Sequence, residues 1–206
     1  KLLVTLLVIS PFYIAIIYSV KSKPELVTNR LALPKVIHWD NFTRAIETSN
    51  FGLALKNSLI TTVLAVFVIT LICTMSAYII ARKNNRFYNT IYYIFVGAMI
   101  IPFQSIMTPL YVDMNHWGML NTLSGFILAK IGFQIAFTVL LVSGFVKNIP
   151  RDLEEAAAID GAGIYGIFFR IVFPLMKPII LTSVVLNTLN VWNDFQIPLY
   201  TLPDPS

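Results

Sequence analysis

The chain has 206 residues, of which 12% are charged and 57% are apolar, and its mean hydropathy is +0.75. Because a soluble globular domain carries about 25% charged residues, this composition excludes an ordinary water-soluble domain and favours a membrane protein. The net charge of +5 is spread too thinly to follow a phosphate backbone, so no nucleic acid is expected as a partner. Cys73 is the only cysteine, and His38 and His116 lie far apart, so neither a disulfide nor a metal site is expected.

Long apolar stretches with almost no charge follow one another along the chain. A helix needs roughly 20 apolar residues to cross about 30 Å of hydrocarbon. Five stretches approach that length, and the fifth is short: 2–20, 58–81, 87–107, 123–146 and 178–195. They predict an all-α fold, a polytopic transmembrane helical bundle forming a single domain over residues 1–206. The chain begins without methionine and stops soon after the fifth stretch, so we expect truncated ends and a sixth span in the intact chain.

Basic residues in the connecting loops predict the orientation of these spans, because cytoplasmic loops carry an excess of Lys and Arg. Arg82, Lys83 and Arg86 crowd one turn, whereas residues 108–121 contain no Lys or Arg. This contrast places Asn84 in the cytoplasm and Asp113 outside. Alternation then makes residues 21–57 an external loop and residues 147–177 a cytoplasmic loop. Six basic residues in the external loop weaken the contrast, although they are widely spaced and partly offset by acidic residues.

The cytoplasmic loop contains a short predicted helix with an acidic start. Pro150 stops the preceding span, Asp152 is a candidate N-cap, and Glu155 completes a capping-box pattern three residues later. Residues 156–158 are three alanines, which favour helix and have little bulk. Gly161 is expected to end the helix.

An amphipathic segment follows this helix, with its apolar residues at helical spacing over positions 164–172. The loop is therefore predicted to be two short helices that meet at a glycine corner. A slim, acidic helix suits docking onto another protein, but it equally suits an ordinary capped helix that holds a loop together. The residues by themselves leave both interpretations open.

A longer motif runs through the same loop. Glu155-Ala156-Ala157, Gly161 and Ile171-x-Phe173-Pro174 resemble the E-A-A-x3-G-x9-I-x-L-P motif of membrane subunits of ATP-binding-cassette (ABC) importers, with Phe in place of Leu. Asp160-Gly161-Ala162 resembles the carbohydrate branch, the maltose-type permease subunits. Further ordered matches are Ile101-Pro102-Phe103-Gln104, Pro109-Leu110-Tyr111, Gly118-x2-Asn121-Thr122 and Trp192-Asn193-Asp194-Phe195-x2-Pro198-Leu199.

The resemblance implies a transport subunit whose loop helix sits in a cleft of a cytoplasmic ATPase. Glu155, Ala156, Ala157 and Gly161 would be the coupling residues, with Asp160 in support. The chain has no G-x4-G-K-[ST] phosphate loop, so it is expected to bind no cofactor and to be no enzyme, with ATP and Mg held by the partner ATPase subunits. The other implied partners are a second permease subunit, two ATPase subunits in all, an extracytoplasmic solute-binding protein, the lipid bilayer and a sugar. The implied location is a bacterial plasma (inner) membrane.

Polar residues in the last span form a stripe. Asn187, Asn190 and Asp194 recur at helical spacing, and amides in hydrocarbon must face protein or water. They could line the path of a sugar or bond to a neighbouring helix. Gln104 and Gln134 are further path candidates. Lys130, near the external end of its span, is expected to extend to the lipid headgroups.

Other functions remain as alternatives. An ion-coupled secondary transporter would need ionisable residues at mid-membrane, and the predicted spans supply almost none. An intramembrane enzyme would need a catalytic constellation at that depth, and the sequence shows none. A permease for a solute other than a sugar stays open. External Trp39, Phe42 and Phe51 could contact a solute-binding protein or simply pack together.

Overall fold

A computed structural model describes residues 1–83 and 85–202, and the chain divides into two compact units, Lys1–Lys56 and Asn57–Ser206. The stretch of 1–206 that the sequence predicts as a single domain is therefore described below as two units. The described residues form helices joined by turns and include no strand, so the all-α prediction is confirmed. Position 84, which the sequence places in the cytoplasm, lies outside the described residues.

The first unit holds three helices before the chain enters α4: α1 (Leu2–Ser19), α2 (Lys23–Thr28) and α3 (Asp40–Thr48). The predicted external loop is therefore folded locally. Lys21 is buried, and its Nζ donates to the backbone O of Asn29 at 2.6 Å. The Asn41 amide donates to the backbone O of Ser19 and of Lys21. These bonds hold α2 and α3 against the end of α1.

Two helices among the described residues are long and apolar enough to cross a membrane alone: α4 (Phe51–Arg82) and α7 (Leu123–Val146). They run in parallel. The Cys73 thiol lies 3.9 Å from the backbone O of Ile135, and Arg82 Nη2 donates to the backbone O of Ile149 at 2.9 Å. Because both helices end on the same side, the chain must cross back between them.

The return crossing is a broken helix. The sequence predicts one span over 87–107, but α5 (Arg86–Ala98) and α6 (Phe103–His116) meet at 103°. Pro102 accounts for the break, because proline lacks an N–H and disfavours helix at the preceding residue. Lys147 lies over the Tyr92 ring at 4.9 Å, and Phe103 packs on Phe133. Helix α5 thus runs antiparallel to α7, and the broken pair carries the chain to the opposite side.

The last crossing also begins at a bend. The short segments that follow the loop helix lead into α11 (Lys177–Trp192) at an angle of 75°. Pro174 and Pro178 flank this bend, and each removes a backbone donor. Asn121 N donates to the backbone O of Thr201 at 2.8 Å, which fixes the end of the last described helix, α12 (Gln196–Thr201), beside the turn before α7. The helical elements from residue 164 onward are α9 (Ile164–Ile167), a π-helical turn (Phe168–Val172), α10 (Phe173–Leu175), α11 and α12 (Gln196–Thr201).

A close approach at the start of α7 gives a stability prediction. A Cβ on Gly125 would meet the backbone O of Met119 and lie 2.7 Å from Met114 Cε. Gly125→Ala is therefore expected to lower the unfolding free energy of the purified protein by about 1–3 kcal/mol, seen as a lower thermal midpoint in detergent. Gly132→Ala is the matched control on the same helix, since nothing lies within 4 Å of the place its added methyl group would take. Equal midpoints for both variants would contradict the packing argument.

The orientation can be tested by labelling single cysteines in intact cells with a membrane-impermeant thiol reagent. Asp113 and Asn148 are exposed, whereas the native Cys73 is fully buried. We expect Asp113→Cys to react directly and Asn148→Cys to react only after permeabilisation, because the loop after α7 carries the basic residues. The reverse labelling would invert the topology.

Candidate functional site

The loop helix α8 spans Asp152–Ile159. With Asp152 as its N-cap the helix would begin at Leu153, so it begins one residue earlier than predicted. Arg151 occupies the N-cap position with φ −70° and ψ −27°, and its side chain makes no capping hydrogen bond. The predicted capping box of Asp152 and Glu155 is therefore wrong: Arg151 is already helical, so Asp152 lies inside the first turn. Asp152, Glu154 and Glu155 all lie in that turn, where negative charge interacts favourably with the helix dipole.

The far end of α8 is closed by glycine. Gly161 has φ +83°, and the N–H groups of Gly161 and Ala162 donate to the carbonyls of Ala158 and Ala157 at 3.0 and 2.9 Å. This is the Schellman arrangement, which places a left-handed residue just after a helix. The prediction that Gly161 ends the helix is confirmed.

The two faces of α8 differ in exposure. Glu155, Ala156 and Asp160 are exposed, and Ile159 keeps 87% of its surface accessible. Ala157 is half-buried against the core of the second unit. The structure therefore brings Glu155, Ala156, Ile159 and Asp160 onto the outward surface of the loop and turns Ala157 inward. We call the outward set the α8 outer face.

Glu154, which the sequence motifs do not single out, ties α8 to the end of α4. Its carboxylate accepts from Tyr78 OH at 2.7 Å and from Arg82 Nε at 2.6 Å. The side chains of Arg82 and Glu154 are only 12% and 14% exposed. Glu154 lies three residues before Ala157, and this spacing indicates that both side chains lie on the inward face of α8. The sequence does not reveal the partners of Glu154, because Tyr78 and Arg82 are distant along the chain.

This link predicts a difference between two adjacent glutamates. Glu154→Gln keeps the shape and removes the charge, so we expect it to cost about 1–3 kcal/mol of stability through the lost charge-assisted bonds. Glu155→Gln, on an exposed side chain, should stay within about 0.5 kcal/mol of wild type. Thermal unfolding of the purified protein and limited proteolysis of the loop 147–177 measure the difference. A larger effect at Glu155 than at Glu154 would contradict it.

A second cluster of polar residues lines a cavity of about 790 Å³ between the α5–α6 break, α7 and the α11–α12 junction. Lys130 and Asp194 are the charged residues among those that line it. The remaining polar groups are amides and the walls include aromatic rings. The amides are Gln134, Asn190, Asn193 and Gln196, and the rings are Phe103, Phe133, Phe137 and Phe195.

Lys130 does not extend to the headgroups. It is 3% exposed, and its Nζ lies 2.8 Å from Asp194 Oδ2 and donates to Asn190 Oδ1 at 2.7 Å. The prediction was wrong because α11 supplies acceptors at the same depth, so the charge is satisfied within the protein. Asp194 Oδ1 in turn accepts from the backbone N–H of Gln196 at 2.9 Å and of Ile197 at 3.3 Å. One carboxylate thus pairs with α7 and caps the first turn of α12.

The predicted polar stripe is divided between two environments. Asn190 and Asp194 line the cavity, whereas Asn187 is buried, donates to Thr138 Oγ1 and Ser183 Oγ, and is absent from the lining. Asn187 therefore joins α11 to α7. Gln104 is exposed on α6 outside the cavity. Within the described residues, no three His, Cys, Asp or Glu side chains gather as metal ligands would.

Comparison with known proteins gives consistent matches. Residues 74–206 match the family described as the binding-protein-dependent transport system inner membrane component. The chain is 40% identical over 197 residues to the probable starch degradation products transport system permease protein AmyC of Thermoanaerobacterium thermosulfurigenes, covering 96% of this chain and 72% of the relative. It is 35% identical over 195 residues to the melibiose/raffinose/stachyose import permease protein MelC of Bacillus subtilis, covering 94% and 70%.

A solved structure has the same fold. The crystal structure of a bacterial ABC transporter involved in the import of the acidic polysaccharide alginate superposes with a TM-score of 0.84. The match covers 98% of this chain and 73% of that one, at 22% sequence identity.

Proposed function

Because the chain belongs to the family of binding-protein-dependent transport system inner membrane components, as its sequence motifs predict, we propose that it moves a sugar or oligosaccharide across a bacterial plasma membrane. It is a permease subunit of an ABC importer and a transport component, not an enzyme. The names of its relatives support a sugar: starch degradation products for AmyC, and melibiose, raffinose and stachyose for MelC.

The lining of the 790 Å³ cavity carries the proposal. Amide groups and a carboxylate hydrogen-bond to sugar hydroxyls, and aromatic rings pack against the apolar faces of sugar rings. Asn190, Asp194 and Gln134 are the path residues that we assign. Gln104 and Asn187 are left out of the path, since neither lines the cavity.

The α8 outer face supplies the contact with the ATPase. Glu155 offers a charge-assisted bond, Ala156 allows close approach, and Asp160 and Gly161 form the adjoining corner. Ala157 supports this surface from the inward side. The bonds that Glu154 accepts from Tyr78 and Arg82 then couple movement of α8 to α4. ATP and Mg bind at the ATPase subunits, and this chain binds no cofactor.

The remaining components of the proposed importer are a second permease subunit, two ATPase subunits and an extracytoplasmic solute-binding protein. Trp39, just before α3, and Phe42, in its first turn, support the last of these. Their rings lie 5.9 Å apart, and the two residues keep 69% and 43% of their surface exposed. Both belong to the segment that we expect outside the cell. Exposed aromatic residues of this kind are enriched in protein interfaces.

Reconstitution tests the function. The complete importer is placed in proteoliposomes with ATP inside and the solute-binding protein outside, and uptake of labelled maltotriose, raffinose and a dipeptide is measured. We expect uptake of a sugar that requires both ATP and the binding protein. Uptake driven by an imposed proton or sodium gradient without ATP would favour a secondary transporter, and uptake of the dipeptide alone would overturn the sugar assignment.

A further inference from the structure

A separate cavity of about 410 Å³ lies where three helices end. Ile80 and Ala81 reach it from the last turn of α4, and Lys147 reaches it directly after α7. The first turns of α5 and the start of the loop complete the wall, through Asn89, Tyr92, Tyr93 and Arg151. None of these residues belongs to the α8 outer face or to the sugar cavity.

The charge of this cavity is positive. Lys147 and Arg151 line it, and none of the described carboxylates does. Lys147 Nζ lies 4.9 Å from the centre of the Tyr92 ring and forms no ion pair within the described part of the chain. The nearby carboxylate of Glu154 is already paired with Arg82. Arg151 donates through Nη2 to the backbone O of Arg82 at 3.1 Å, which fixes its guanidinium at the rim.

The cavity lies at a boundary between membrane and water. Helices α4 and α7, which are long and apolar enough to cross a membrane, both end at its wall. Tyrosines are enriched at such boundaries, and Lys and Arg are enriched on the cytoplasmic one. Helix α5 exposes apolar surface at the cavity wall and next to it: Tyr93 and Ile94 keep 70% and 62% of their area accessible.

We propose that this cavity binds the phosphate of an anionic phospholipid from the cytoplasmic leaflet. Lys147 and Arg151 contact the phosphate oxygens, the Tyr92 and Tyr93 side chains border the headgroup, and the acyl chains lie along α5. Basic pockets between transmembrane helices on the cytoplasmic side recognise such headgroups. A free phosphate ester shares the charge chemistry, but it leaves the exposed apolar surface of α5 uncovered. The inference rests on the proposed orientation of the loop 147–177 and is independent of the transported solute.

Native mass spectrometry of the complete importer, delipidated in detergent and titrated with phosphatidylglycerol, tests the site. Each basic residue near an anionic surface contributes about 1 kcal/mol, which corresponds to roughly fivefold in affinity. We expect Lys147→Gln or Arg151→Gln to weaken the tightest lipid-binding event about fivefold and the double variant roughly 25-fold. Lys147→Arg should retain it. Lys177→Gln is the matched control, an exposed cation at the start of α11 outside the cavity.

Two further titrations separate binding of an anionic lipid from binding of a free phosphate ester and of a neutral lipid. Glycerol phosphate, added in excess, should fail to displace phosphatidylglycerol, and phosphatidylcholine should bind no more tightly to wild type than to the double variant. The thermal midpoint and the co-purified ATPase should match wild type, so that lost lipid binding is not lost folding. Equal lipid affinity in the wild type and the double variant, or displacement by glycerol phosphate alone, overturns the proposal.

Discussion

Glu155→Lys is expected to abolish sugar uptake and to release the ATPase during purification, while the permease still inserts and folds. Glu155 is exposed and makes no described side-chain contact within the chain, so reversing its charge leaves the core intact. A buried charge pair that loses one partner costs about 3–5 kcal/mol, enough to weaken the ATPase contact more than a hundredfold. Uptake assays and co-purification in mild detergent measure both effects.

The control for this change is Asp113→Lys, which makes the same reversal on an exposed carboxylate of α6. Gly161→Val disturbs the same surface through the backbone, since φ +83° strains a β-branched residue by about 1–2 kcal/mol. Asn tolerates that conformation, so Gly161→Asn should keep most uptake. Full uptake and full ATPase recovery in Glu155→Lys and Gly161→Val would remove the α8 outer face from the coupling mechanism.

Single neutralisation of the Lys130–Asp194 pair is expected to be more harmful than neutralising both residues. Lys130→Met leaves the Asp194 carboxylate in the protein without its cation, and Asp194→Asn leaves a Lys that is 3% exposed without its anion. Removing one partner of a buried pair costs about 3–5 kcal/mol. We therefore expect either single variant to yield much less assembled importer, measured by extraction yield and thermal midpoint.

The double variant Lys130→Met/Asp194→Asn should recover assembly, because no unpaired charge remains and Asn can still cap α12 through its carbonyl oxygen. Its recovered protein then allows uptake to be measured separately from folding. If the double variant lost as much stability as the two single variants lose in total, the two residues would act independently and their pairing would contribute nothing.

Local rules explain which features of the site could be predicted from the sequence. Gly161 ends α8 because only a few residues around it decide that conformation. The same holds for the start of α7 at Thr122, whose side chain accepts from Gly125 N. By contrast, the partners of Lys130 and Glu154 lie 60 to 76 residues away in sequence, and nothing in the local pattern pairs them.

The error over residues 87–107 has a different cause. The stretch is apolar and free of charge, so composition predicts a continuous span. Pro102 indicates a point of kinking, but the extent of a bend depends on the helices that pack around it. Here Phe103 packs on Phe133 of α7, which stabilises α6 in a new direction after the break.

The shortness of α8 has a consequence for the order of assembly. A helix of eight residues is too short to persist alone in water, and its inward side is held through Glu154 by Tyr78 and Arg82, which precede Glu154 by 76 and 72 residues. The α8 outer face therefore exists only after α4, α7 and the loop have come together. An ATPase that binds this face, as we propose, would therefore discriminate between folded and unfolded permease, and a synthetic peptide of the loop would be a poor competitor for its binding.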